Sequence, residues 1–288
     1  MLWLPLSLIA AFTLATTDAM TKRFFSGLSP YEMAMVRLTY TLPWLIGSLF
    51  FIPLARPDGF YYLAVASAAP LEICALYCYM KAIKVSPLSL TLPFLAFTPA
   101  FIILTGRIML GEQLSLMGVA GIILIVIGSY CLNISSVKGG LFAPIRAIFK
   151  EYGSRFMLLV SFIYSITSVI GKIGVLHSNP YFFGSTYFIA LTLLMTVLMP
   201  FMPGRTLKRL TGFPMKGMIL GAIYAVMVFS HMLAISQVEA AYMISVKRVS
   251  LLFGILYGAW WFREERIGER LLGAVIMLTG VFLIGFSS

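Results

Sequence analysis

The stretch GVAGIILIVIGSYCL, Gly118–Leu132, decides the fold class. It is apolar almost without a break and alternates nowhere. A membrane β-barrel is built from segments of about ten residues that alternate apolar and polar side chains. A helix crossing the bilayer instead needs about 20 consecutive, mostly apolar residues. Backbone groups in hydrocarbon must bond within their own element, so a continuous run of this kind reads as a spanning helix. Comparable runs, separated at Gly, Pro and charge clusters, lie near residues 2–21, 30–54, 59–80, 86–106, 114–134, 155–176, 180–202, 213–235, 240–262 and 268–286. The expectation is an all-α polytopic membrane protein with ten transmembrane helices.

Composition points the same way. The chain has 288 residues, 60% apolar and 11% charged, with mean hydropathy +0.98. Soluble domains carry about 45–50% apolar and about 25% charged residues, so a soluble enzyme is excluded. A disordered chain, which needs low hydrophobicity and high charge, is excluded as well. The net charge of +11 does not make a nucleic-acid binder, because no soluble domain is left to carry a basic patch. The N-terminal run has no basic leader and continues to Ala19, so it reads as a first span and not as a cleaved signal. Cys74, Cys78 and Cys131 show no metal-ligand spacing; they read as small packing residues, and neither metal nor cofactor is expected.

The two halves of the chain repeat each other. Lys22 and Pro30 match Lys172 and Pro180 at an offset of 150. Ala82, Gly106, Glu112, Gly121 and Gly128 match Ala234, Gly258, Glu264, Gly273 and Gly280 at 152. The division expected is 1–134 for one five-helix repeat, 135–153 for a linker and 154–288 for the second repeat. The linker carries Leu141, Phe142, Ile145, Ile148 and Phe149 at helical spacing opposite Arg146, Lys150 and Glu151, the pattern of a short interfacial helix. An odd number of spans per half forces the halves into opposite orientations, as in secondary transporters.

Charge distribution tests that layout. Alternate connections, beginning with the first, hold Lys22, Arg23, Lys81, Lys84, Lys138, Arg146, Lys150, Arg155, Arg205, Lys208, Arg209, Lys216, Arg263, Arg266 and Arg270, fifteen in all; the others hold Arg56 and Arg107. Positive residues gather on the cytoplasmic side. The split supports ten spans in a plasma (bacterial inner) membrane with both termini outside.

These features resemble the drug/metabolite transporter superfamily in its EamA-type ten-span form. The resemblance is carried by Leu28-Ser29-Pro30, Arg37, Ala82 to Pro87, Pro99, and Gly111-Glu112 leading to Gly121 and Gly128, with Glu264, Gly273 and Gly280 repeating the last group. Such families usually place both termini in the cytoplasm; the charges here place them outside, and we follow the charges. A narrower resemblance lies in span nine, Tyr242 to Ser250. Its Lys247-Arg248 pair followed by Ser250 is similar to the organic-phosphate translocators, in which such a pair holds phosphate. The EamA-type proline that would match Pro99 falls at Leu251 and is absent.

Four cations lie within spans: Arg37, Lys172, Lys247 and Arg248. A cation at mid-span costs about 2.5–3.5 kcal/mol by insertion scales, and two adjacent ones are best accommodated in a water-filled cavity. Asp18 and Glu72 are the carboxylates expected in spans, so at most two cations can be neutralised and an anionic substrate would balance the surplus. The expected substrate-binding set is Lys247 and Arg248 on the anionic group, Lys172 facing them from span six, and Arg37, His231, Tyr79 and Tyr224 nearby. For Arg37 the family resemblance implies a structural or gating role, which stands beside direct binding; for His231 an interfacial role stands beside binding. Glu72 reads either as the permanent partner of Arg37 or Lys81 or, with Asp18, as a coupling or gating group. Glu112 and Glu264 read as local partners of loop arginines. Gly121, Gly128, Gly273 and Gly280 read as close-packing sites between helices.

The function expected is secondary transport by alternating access of a small organic anion, with a phosphorylated one the first choice. Alternatives are a flippase for a lipid-linked phosphate and a proton-coupled exporter of amino acids or other small metabolites. Expected partners are the bilayer and that substrate, with no nucleic acid, in a monomer or homodimer. A membrane enzyme is disfavoured: the chain has no acidic metal cluster, and His231 with Ser230 makes a poor nucleophile pair.

Overall fold

A computed structural model describes residues 2–86, 88–134, 152–201, 212, 214–263 and 271–287. The linker helix, Pro87, Glu264 and the loop cations Lys138, Arg146, Lys150, Arg205, Lys208, Arg209, Arg266 and Arg270 lie outside them. The described residues form helices and turns. In chain order the helices are α1 (Trp3–Phe25), α2 (Pro30–Ser48), α3 (Gly59–Val85), α4 (Phe97–Leu110), α5 (Leu116–Ile134), α6 (Tyr152–Leu176), α7 (Pro180–Leu198), α8 (Pro214–Ile235), α9 (Ala240–Lys247), α10 (Ser250–Phe262) and α11 (Leu271–Ser287). A helical turn, Leu88–Thr91, and a 3-10 segment, Leu92–Ala96, lead into α4.

Six helical segments are long and apolar enough to cross a membrane by length and composition: α1, α3, α6, α7 with the turn that follows it, α8, and α9 joined to α10. Shorter apolar helices complete the bundle. Local sequence explains their starts. Ser29 caps α2 through a reciprocal box with Glu32, and Pro30 fills the first helical position, where no N–H is needed. At α7 Asn179 accepts the Phe182 N–H without a reciprocal bond, and Pro180 fills the first helical position. Gly111 ends α4 in the left-handed region, φ 68°, which suits a residue without Cβ.

The packing pattern reproduces itself when the halves are exchanged. Helix α3 packs on α6 as α8 packs on α1, and α4 packs on α6 as α9 and α10 pack on α1. The pairs α2 with α7, α4 with α9 and α5 with α11 join equivalent helices. At the last pair the glycines meet crosswise. A Cβ on Gly121 would lie 2.7 Å from the Gly280 carbonyl oxygen, and one on Gly128 would lie 2.7 Å from that of Gly273. Advancing along α5 therefore retreats along α11, so these equivalent helices are antiparallel. A two-fold relation that turns a helix over has its axis across the bundle, the geometry of an inverted repeat. The close-packing role expected of these glycines is what the backbones require, with Gly121 facing Gly280 and not its own counterpart Gly273.

The fourth helical segment of each half is interrupted, which sequence reading did not anticipate. In the first half the 3-10 segment Leu92–Ala96 contains Pro93, which has no N–H to give. In the second half the interruption falls at Arg248 and Val249. There Arg248 N–H reaches both Ile244 and Ser245 carbonyls, at 3.2 and 3.0 Å, and Val249 N–H reaches Val246 at 3.0 Å. At the offset of 152, residues 92–96 correspond to 244–248. The second break sits at the equivalent level without a proline.

Candidate functional site

One cavity lies among α2, α3, α6, α7, α8 and α9, enclosing about 870 Å³ including its mouth. It runs from mid-bundle to the end where α8 finishes at Ile235 and α7 begins near Phe183, both of which line it. At the other end side chains tie helix ends together. Lys22 Nζ donates to the Ser86 carbonyl and Lys84 Nζ to that of Leu28, both at 2.6 Å, Arg23 donates to the Trp261 carbonyl at 2.8 Å, and Tyr31 donates to that of Met195.

The break in span nine delivers Lys247, the last residue of α9, and Arg248, its C-cap, to the cavity wall. Lys247 Nζ lies 3.0 Å from His231 Nδ1 on α8. The buried Nε of Arg248 has no hydrogen-bond partner among the described residues. Among those residues the ion pairs are Arg37 with Asp18, Lys172 with Glu112 and His177 with Asp58. Lys247 and Arg248 are in none of them.

Arg37 also reaches the cavity, but much of it is committed. One of its terminal nitrogens donates to Asp18 at 2.8 Å and to Thr21 at 3.1 Å, and its guanidinium lies 5.3 Å from the Tyr224 ring centroid and 5.9 Å from that of Tyr79. The other Asp18 oxygen accepts from Tyr79 at 2.5 Å. Asp18 thus sits behind the cavity wall, anchoring Arg37 and Tyr79. Glu72 lines the cavity from α3, as does Thr167 from α6. Its expected partner Arg37 belongs to Asp18, and Lys81 lies instead among the rings of Tyr77, Tyr152 and Phe156, 4.7 Å from the last.

Lys172 requires a correction. It does not line the cavity. Its Nζ donates to Glu112 Oε1 at 2.6 Å and to the Val238 carbonyl at 2.7 Å. Glu112, expected to serve a loop arginine, also accepts the Ala240 N–H at 2.9 and 3.1 Å, at the start of α9. The reason is the repeat. Lys22 binds the carbonyl of Ser86, and Lys172 binds that of Val238, 152 residues further on. Lysine at both positions ties the first helix of each half to the approach of the fourth.

Of the residues expected at the site, Arg37, Glu72, Tyr79, Tyr224, His231, Lys247 and Arg248 line one cavity; Lys172 and Asp18 do not. Sequence reading missed Tyr164, Thr167, Ser168, Phe183, Tyr187 and Phe188. Two of these were within reach. At the offset of 150, Asp18 corresponds to Ser168 and Arg37 to Tyr187. The Phe183 and Tyr187 rings stack at 5.2 Å, and Phe188 meets Tyr224 edge-on at 5.9 Å. The cavity therefore has a cationic wall from the second half, an aromatic wall, and one carboxylate from the first half.

A cavity at a break in a spanning helix, between halves related by inversion, is where transporters of this construction hold substrate. The profile of the EamA-like transporter family matches residues 1–134 and 152–286. The chain belongs to the EamA-like transporter family. It is thus a multi-pass membrane transporter within the drug/metabolite transporter superfamily, and membership fits its two-repeat, all-helical layout. A solved structure titled only "Crystal structure of protein" is similar in fold, with TM-score 0.72 and 13% identity, covering 99% of this chain and 95% of that chain. At that identity the likeness concerns the fold alone. No curated protein matches the sequence. Within the EamA-like frame, the first-half counterparts of Lys247 and Arg248 are the apolar Leu95 and Ala96, so the cationic wall is a feature of one half only.

Proposed function

We propose that this EamA-like protein is a secondary transporter for a small organic anion, phosphorylated by first choice, whose negative group is held by Lys247 and Arg248. The observation that carries the reading is the charge balance at the cavity. Arg37, Lys247 and Arg248 stand against Asp18 and Glu72, and the two cations on the wall of span nine have no carboxylate within ion-pair distance among the described residues. Leaving two adjacent cations buried without counter-charge is costly, and an arriving anion removes that cost. A phosphoryl group suits an Arg fork beside a Lys point charge. Five spans in each half, divided at 1–134, 135–153 and 154–288, would rock about the site, with both termini on the outer face.

The test is uptake or exchange in liposomes of the purified protein against phosphorylated sugars, nucleotides, amino acids and lipid phosphates. Organic anions should move. Lys247→Gln and Arg248→Gln should each lower transport by at least about tenfold while leaving a monodisperse protein. If every organic anion fails while neutral or cationic metabolites move, the reading is refuted. Movement of lipid phosphates alone would assign a flippase.

A further inference from the structure

Lysine is a flexible ligand, and its four-carbon stem makes an unanchored ammonium slow to define a site. Lys247 is anchored, and the anchor is unusual in being a second nitrogen base. Its Nζ lies 3.0 Å from Nδ1 of His231, which projects from α8, and both side chains line the cavity. An ammonium has three donors and no acceptor, whereas a neutral imidazole has one donor nitrogen and one acceptor nitrogen. A charged Lys247 can form this contact only by donating to a bare Nδ1. The imidazole proton is then confined to Nε2.

We propose that His231 is the positioning residue of the cationic wall: its unprotonated Nδ1 fixes the Lys247 ammonium beside Arg248, and its proton resides on Nε2. The inference rests on the anion site proposed above for its role in binding, but the tautomer stands or falls alone. A carboxylate in place of His231 would hold Lys247 as firmly and would cancel its charge. A neutral acceptor holds the ammonium and leaves its charge for the ligand. Asymmetry between the halves supports a functional origin. The first-half counterpart of His231 is Tyr79, which donates to Asp18, and the counterpart of Lys247 is Leu95. A base appears in the repeat only where there is a lysine to hold.

Two measurements test this on the full-length protein. The chain has two histidines, His177 and His231, and His177→Asn leaves a single imidazole for histidine-selective 15N labelling. The expected spectrum shows Nδ1 unprotonated and Nε2 protonated, with the Nδ1 signal moving in Lys247→Met. A proton on Nδ1, or a spectrum indifferent to Lys247→Met, overturns the proposal. The second measurement is equilibrium binding of inorganic phosphate. His231→Asn, whose amide oxygen takes the place of Nδ1, should stay within about threefold of wild type. His231→Gln, whose acceptor reaches the place of Nε2, and His231→Phe should weaken binding about tenfold. A space-filling role would make Asn and Gln equivalent, and that result overturns the positioning role. Absence of phosphate binding to the wild type, with the expected tautomer present, would uphold the contact and refute the phosphate reading.

Discussion

Replacing Glu112 with glutamine separates the two roles that Lys172 could play. The Glu112 carboxylate accepts from Lys172 at 2.6 Å and from the Ala240 N–H at 2.9 and 3.1 Å. Lys172 has one other contact of this kind, the Val238 carbonyl at 2.7 Å. The side chains are 11% and 8% exposed, so solvent screens the pair little. Glutamine can keep the bond to Ala240 but removes the charge, stranding an ammonium on one carbonyl. Removing one partner of a buried pair costs about 3–5 kcal/mol, and the residual exposure places this case near 3 kcal/mol. Lys172→Met should cost less, because Glu112 keeps the N–H at the positive start of α9. The double variant should be more stable than Glu112→Gln alone, since it strands no charge. The assay is thermal unfolding of the detergent-solubilised protein, read as loss of the monodisperse fraction, with transport kinetics alongside. A fall of several degrees in Glu112→Gln, partly reversed in the double variant, is expected. If Lys172→Met leaves the melting midpoint unchanged and only raises KM, then Lys172 is a substrate ligand and the structural assignment is wrong.

Two further predictions concern packing and the exposed latch. Gly280→Val would place a Cβ 2.5 Å from the Gly121 carbonyl oxygen and should reduce the folded yield sharply, at an overpacking cost of about 1–3 kcal/mol or more. Gly285→Val, whose Cβ would meet Leu4 at an ordinary 3.8 Å, is the tolerated control for the same yield measurement. At the open end of the bundle Asp58, the N-cap of α3, lies 2.7 Å from Nδ1 of His177, and that imidazole holds its carboxyl below the usual carboxylate range. A depressed folded-state pKa gives stability above the unfolded value of about 4, lost as pH falls through the lower folded one. The small melting difference between wild type and Asp58→Asn should be present at pH 5 and shrink below 4. A difference that persists undiminished at pH 2 would contradict that assignment.

The helices were legible because each apolar run had to supply its own hydrogen bonds, and each run assigned from sequence overlaps described helical residues. Their interruptions were not. Pro93 marks one by its missing N–H, but nothing in Ile244 to Val249 forbids a continuous helix; the break there is visible only as tightened carbonyl contacts. Pairings between helices were equally hidden. Lys172 and Glu112 are 60 residues apart, and Asp18 and Arg37 are 19 apart. Asp18 lies seven residues before the end of α1 and Arg37 seven after the start of α2, so the two are level only once the helix bounds are known.

A sharper criterion was nevertheless present in the repeat. Where both halves carry the same residue, the structure uses it as scaffold: Lys22 and Lys172 hold equivalent carbonyls, and Gly121 with Gly280 and Gly128 with Gly273 bring two backbones together. A two-fold framework needs the same contact twice, so identity across the repeat signals framework. At four positions where the halves differ, the residues face the cavity. Glu72 stands against Tyr224, His231 against Tyr79, Lys247 against Leu95, and Arg248 against Ala96; seven of these eight side chains line the wall, Ala96 being the exception. A substrate with unlike ends cannot be held by a symmetric lining, so the framework must be broken where the ligand sits. Lys172 was drawn into the expected site by its charge alone; its twin, Lys22, marked it as framework. Lys247 and Arg248, which have no twin, both line the cavity.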